Sequence, residues 1–144
     1  QRREQIRKAV DELCDWDEMS RRSLGRHWAQ RSEQEKKEFV HLFGQLIERT
    51  YIDKVEGYSG EKVNYLGERV DGDYAEVDVK VVTNKNTEIP VVYRMRAKDQ
   101  KWLVYDIVIE GVSLVNNYRT QFSDILAKSS FEALLKRLKE KGHE

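Results

Sequence analysis

Residues 101–122 read KWLVYDIVIEGVSLVNNYRTQF, and this stretch decides the fold. Residues 102–109 are a dense apolar strand, Glu110-Gly111 is a turn, and Ser113 opens an aromatic-bearing helix. Period-two alternation places Leu103, Tyr105, Ile107 and Ile109 on one face and Trp102, Val104, Asp106 and Val108 on the other. Both faces are mostly apolar, so the strand is expected to be covered on both sides. Asp106 is the exception. A carboxylate in such surroundings is costly unless paired, and Arg119, one helix later, is its expected partner in a structural pair.

Upstream of this stretch the period of two continues. Residues 63–70 form a moderate strand and Asp71-Gly72 is a hairpin turn signal. In residues 73–83, Ala75, Val77, Val79 and Val81 face one way, while Glu76, Asp78 and Lys80 face the other. A turn follows between Asn84 and Asn86. In residues 87–97, Ile89, Val91, Tyr93 and Met95 share a face, and Pro90 points to an edge or a strand start. Lys98 to Gln100 turn into the deciding stretch. Four strands on short turns imply an antiparallel meander.

Helical spacing governs the two ends of the chain. Residues 1–13 place Ile6, Val10 and Leu13 on one stripe. Asp15 or Asp17 caps a second helix that carries Trp16, Met19, Leu24 and Trp28. Gly25 then sits in mid-helix, at a cost of about 1 kcal/mol relative to Ala, which close packing would offset. Ser32-Glu33-Gln34-Glu35 is a capping box, and its helix presents Phe39, Phe43, Leu46 and Ile47 on one stripe. After Ser113, Leu114, Val115, Tyr118, Phe122, Ile125 and Leu126 form a wide apolar stripe. The last helix is capped by Ser129 with Glu132 in the capping-box position, buries Phe131, Leu134, Leu135 and Leu138, and ends at Gly142. The expected fold is a single α+β domain over residues 1–144. A curved four-stranded antiparallel sheet carries helices on its concave face, in the order helices, four strands, helices.

Composition excludes several function classes. The chain has 144 residues, 39% hydrophobic and 36% charged, and Lys+Arg 26 balances Asp+Glu 26. No basic field exists to attract nucleic acid. One cysteine, Cys14, excludes an intrachain disulfide and a thiolate metal cluster, and His27, His41 and His143 lack ligand spacing. No metal site or cofactor is expected. No run approaches the length of a membrane span. A start at Gln1 without Met is expected of a trimmed fragment, with its leader and part of the first helix missing. Asp106 and Glu110 share a strand face and form the one carboxylate pair suited to acid–base work, as in an NTF2-like enzyme. No oxyanion donors accompany them, and the chain is expected not to be an enzyme.

The deciding stretch also resembles the signature of the MlaC-type proteins, the periplasmic phospholipid carriers known as toluene-tolerance ABC transporter auxiliary components. The matching residues are Trp102, Tyr105, Asp106, Glu110, Gly111, Val112, Ser113, Leu114, Tyr118, Arg119 and Phe122. A second, sparser patch consists of Leu24, Gly25 and Trp28, then Gln34 and Phe39, then Thr50-Tyr51. The tail departs from the pattern, with Ser129-Ser130 where the family often has a Gly. The resemblance implies an NTF2-like/MlaC-like fold with phospholipid tails held between sheet and helices. Facing arguments put Phe39, Phe43, Leu46, Tyr93, Met95, Tyr105, Ile107, Val115, Tyr118 and Phe122 on that lipid-binding wall. It further implies a monomeric carrier in the periplasm that maintains outer-membrane lipid asymmetry. Its partners would be an inner-membrane MCE-domain protein of an ABC transporter and an outer-membrane lipoprotein complex. The rival expectations are an NTF2-like small-molecule enzyme and an interaction module with a filled core.

Overall fold

The computed structural model describes residues 12–52, 62–82 and 85–141. Most of the expected first helix, Asn84, Gly142 and His143 lie outside the described residues. Helix α1 spans Trp16–Leu24, and Asp15 is its cap, accepting from the Glu18 amide at 3.1 Å. The helix does not run on to Trp28. Gly25 takes φ +58, open to a residue without Cβ, and the chain continues as a 3-10 turn over Gly25–Gln30. The positive φ, rather than close packing, is what calls for glycine there, because a Cβ would meet Arg119 Cδ at 3.4 Å, an ordinary contact.

Helix α2 (Glu33–Ile47) opens on the complete capping box: Ser32 Oγ accepts from the Glu35 amide at 3.1 Å, and Glu35 accepts from the Ser32 amide at 2.9 Å. It passes into a π turn at Glu48–Ile52. Helix α3 (Leu114–Lys128) is capped by Ser113, as expected, and helix α4 covers Phe131–Lys141. The cap of α4 is Ser130 rather than Ser129. Ser129 is extended and closes α3, while Ser130 Oγ accepts from the Ala133 amide at 3.1 Å.

The sheet is an antiparallel meander of five strands, not four: β1 (Lys62–Asp71), β2 (Tyr74–Val82), β3 (Glu88–Lys98), β4 (Lys101–Ile109) and β5 (Val112–Ser113). The fifth strand arises from the turn at Glu110-Gly111. Both residues have positive φ, the geometry that sends a strand straight back beside its predecessor, so Val112 and Ser113 pair with Ile109 and Val108. Asp99 and Gln100 make the same kind of turn between β3 and β4.

The helices build a core of their own. Phe39 stacks on Phe43 with ring centroids 5.6 Å apart, and Phe122 stands edge-on to both. Tyr118 closes the group against Phe43 and Phe122, with Met19, Leu24, Leu134 and Leu138 packed around it. Each such side chain contributes about 1.5–3 kcal/mol by burial. Among the described residues, α1 and α3 approach the sheet at β4, and α3 also approaches β5. On the far strand β1, Val63 and Tyr65 are each 61% exposed.

Charges tie α1 to the sheet. Arg96 reaches Asp15 at 3.4 Å and Glu18 at 3.6 Å, and Lys98 reaches Asp15 at 3.7 Å. Glu18 also accepts from Arg21 at 2.6 Å and Arg22 at 2.7 Å. The Arg21 hydrogen bond, supported by Arg22 and Arg96 against the opposing effect of burial, holds the Glu18 carboxyl at about 2, below its ordinary 4.5. The folded state therefore binds fewer protons than the unfolded one between these values. The stabilisation is complete above about 4.5 and is lost as pH falls towards 2. Urea midpoints measured from pH 5.5 to 2.5 should fall more steeply for the wild type than for Glu18→Gln. Parallel curves would remove Glu18 from the acid response.

Candidate functional site: an apolar sheet face and a polar cleft behind it

Strand register sorts the side chains onto two faces of opposite character. Ala75, Val77, Val79 and Val81 on β2 oppose Met95, Tyr93, Val91 and Ile89 on β3. Met95, Tyr93 and Val91 in turn oppose Val104, Ile107 and Ile109 on β4. These positions make one continuous apolar face, and Val63, Tyr65 and Val70 extend it onto β1. None of these strand residues belongs to the helix core, although Ala75, Val79, Val91 and Val104 are themselves buried. Two apolar bodies therefore stand side by side, one filled by helix side chains and one spread over the sheet.

The opposite face carries a row of alternating charge. Arg69 on β1 opposes Glu76 on β2, Glu76 opposes Arg94 on β3, and Arg94 opposes Asp106 on β4. The successive contacts are 2.8, 3.2 and 3.3 Å, and Asp78 adds a second partner for Arg69 at 2.5 Å. The row runs from solvent to interior: the Arg69 side chain is 59% exposed and that of Asp106 is 5% exposed.

Asp106 is thus present as the buried carboxylate expected from the sequence, but with a different cation. Its Oδ2 accepts from Arg94 and, at 2.5 Å, from the Ser113 hydroxyl. Its Oδ1 accepts from the amides of Ile107 at 2.8 Å and Val115 at 3.0 Å. Four donors from the sheet and the start of α3 saturate the group. Arg119 instead donates to the Asn116 side chain, one turn back on α3. The reason is a bulge in β4. Counted from the turn at Asp99-Gln100, Arg94 would oppose Tyr105, but one extra residue moves Asp106 into that place.

The bulge also corrects the expected facing of β4. Val104 joins Ile107 and Ile109 on the apolar face. Tyr105 turns to the charged face, where its ring meets Tyr74 edge-on and Arg22 lies 4.2 Å above it. The acid–base reading fares no better: Asp106 is occupied, and Glu110 sits exposed in its turn. Among the described residues no group of three His, Cys, Asp or Glu is placed to hold a metal. Among the same residues no helix is long and apolar enough to cross a membrane.

The ten residues expected to share a lipid wall divide between three places. Tyr93, Met95 and Ile107 lie on the apolar sheet face, and burial pushes the Tyr93 phenol up, with Cys14 adding to it. Phe39, Phe43, Leu46, Tyr118 and Phe122 fill the helix core. Tyr105 lines a polar cleft of about 290 Å³ between the charged sheet face, α1 and α3, and Val115 stands between that cleft and the helix core. Val77, Val79, Val91 and Ile109 were not among the ten, although their period-two alternation in the sequence marks them as one face.

Comparison with known proteins agrees with this architecture. The family model described as MlaC protein matches residues 1–140. The intermembrane phospholipid transport system binding protein MlaC of Haemophilus influenzae is 27% identical over 122 residues, 81% of this chain. The chain spans 57% of that relative's length. A phospholipid-binding protein from Ralstonia solanacearum, solved in complex with a phospholipid, superposes with a TM-score of 0.84 at 26% identity, covering 93% of this chain and 76% of the other.

Proposed function

The chain belongs to the MlaC family, and from that premise we propose that it is a phospholipid carrier whose acyl chains lie against the apolar face of β2, β3 and β4. The observation that carries this reading is the separation of that face from the helix core. Ala75, Val79, Val91 and Val104 are buried on that face without joining the helix core, and so are shielded as the wall of an acyl-chain site is. Each methylene moved from water onto such a wall gains about 0.8 kcal/mol, so loading is favourable and release needs a partner that competes for the chains or opens the wall.

By family analogy the carrier works in the periplasm between an inner-membrane MCE-domain transporter and an outer-membrane lipoprotein complex, and so maintains outer-membrane lipid asymmetry. The phospholipid bound by the Ralstonia protein and the transport role named for the Haemophilus relative support that reading.

Native mass spectrometry after incubation with phospholipid vesicles tests it. One phospholipid per chain is expected for the wild type. Val77→Lys places a charge opposite Tyr93 in the middle of the apolar face, and should reduce loading at least about tenfold, or 1.4 kcal/mol. Lys at Val82, on the charged face, should leave loading unchanged. Equal loading of Val77→Lys and wild type, both folded, would move the lipid off this face.

A further inference from the structure

We propose that the polar cleft behind the apolar wall is a binding site for a phosphate group. Three guanidinium groups line it from three different elements: Arg22 from α1, Arg94 from β3 and Arg119 from α3. Each is held by a separate device. Arg22 is fixed by Glu18 at 2.7 Å and by the ring of Tyr105 beneath it. Arg94 is fixed by Glu76 and Asp106 in the charged row. Arg119 is held by the side chain of Asn116, and its Cδ lies within van der Waals reach of Gly25.

The charge of the cleft is unbalanced. Its two lining carboxylates, Glu76 and Asp106, are both engaged by Arg94, and Arg69 takes a further share of Glu76. The Arg119 guanidinium meets the neutral amide of Asn116, and no carboxylate lies within ion-pair distance of it among the described residues. One positive charge therefore stands at the mouth of a partly enclosed space, where an anion is screened less than at an open surface. Arginine forks bind carboxylate and phosphate alike, but a planar carboxylate satisfies one fork in one plane. A tetrahedral phosphate offers oxygens to forks arriving from α1, β3 and α3 together. The volume, about 290 Å³, lies at the lower end of small-ligand pockets and suits a phosphate with a small substituent, not a pair of acyl chains.

The cleft and the lipid wall lie on opposite faces of the sheet, so this site stands whether or not the carrier reading does. The phosphate could be that of a free small molecule or of a lipid headgroup, and the test separates the two. Inorganic phosphate, glycerophosphoethanolamine and phosphatidylglycerol vesicles are titrated into the full chain at constant ionic strength, with the backbone amide signals of Val115 and Asn116 followed by NMR. Lipid loading is measured in parallel by native mass spectrometry. Saturable shifts with inorganic phosphate, weakened about tenfold by Arg119→Gln, support a site for free phosphate compounds. Shifts only with the glycerophosphoester or the vesicles, with the same weakening, support a headgroup site. Arg119 is exposed, so its variant is expected to remain folded, and its melting curve checks this. Absence of any saturable shift, or shifts equal in wild type and Arg119→Gln, overturns the proposal. A protein that loads lipid without shifts keeps the carrier reading and loses this site, and shifts without loading do the reverse.

Discussion

Phe39→Ala should lower stability by about 3–5 kcal/mol, among the largest effects of any single substitution in the chain. Phe39 is fully buried, with its ring 5.6 Å from those of Phe43 and Phe122 and 6.2 Å from that of Phe131. Truncation removes one member of every pair and leaves a cavity between α2, α3 and α4 that those helices cannot close without moving. Aromatic pairs add about 0.5–1.5 kcal/mol beyond area burial, which places the expected loss in the upper part of the range. Phe39→Leu keeps most of the volume and should cost about 1–2 kcal/mol, with lipid loading unchanged in the folded protein. Urea unfolding gives the first quantity and native mass spectrometry the second. If Phe39→Ala melts like the wild type but loads less lipid, Phe39 belongs to a ligand wall and the helix core has been misassigned.

Removing the Asp106 carboxylate should be comparably severe. Asp106→Ala leaves the Ser113 hydroxyl and the Ile107 and Val115 amides without their acceptor, at about 1–3 kcal/mol for each buried donor, and removes one of the two carboxylates that hold Arg94, for an expected loss of about 3–5 kcal/mol in all. Asp106→Asn retains the shape but turns one acceptor into a donor towards Arg94 and Ser113, and should cost about 2–3 kcal/mol. The two substitutions test one role, the fastening of the start of α3 to the sheet. A double-mutant cycle with Arg94→Met isolates the ion pair, and a coupling of about 1–3 kcal/mol is expected. A loss below about 1 kcal/mol for Asp106→Ala would show that α3 is held by its apolar face alone.

Local rules were legible in the sequence wherever the deciding atoms lie within a few residues. The Ser32 capping box, the Ser113 cap and the alternation of Ala75, Val77, Val79 and Val81 are of this kind, and all three are present. The fold class followed from them. The fifth strand was missed because two residues are too few to show a period, although the Glu110-Gly111 turn that creates it was visible. The partner of Asp106 was out of reach for a different reason. Arg94 is local only in the folded sheet, and a single extra residue in β4 decides whether it meets Asp106 or Tyr105.

The lining residues show the deepest limit. Phe39, Phe43, Tyr118 and Phe122 have the composition of a lipid wall and the spacing of a helix core, and these are the same residue types. Whether a gap is left between layers is a property of packing, which periodicity does not carry.

The bulge at Tyr105 has a consequence in the language of genes. An antiparallel strand normally tolerates no change in length, because one codon gained or lost sends every later side chain to the wrong side. In β4 the extra residue is already there, and the pairs on either side of it, Met95 with Val104 and Arg94 with Asp106, alternate correctly without it. Codon 105 is thus a spare unit: its in-frame deletion would straighten the strand and remove the ring beneath Arg22, yet leave the rest of β4 in phase with β3.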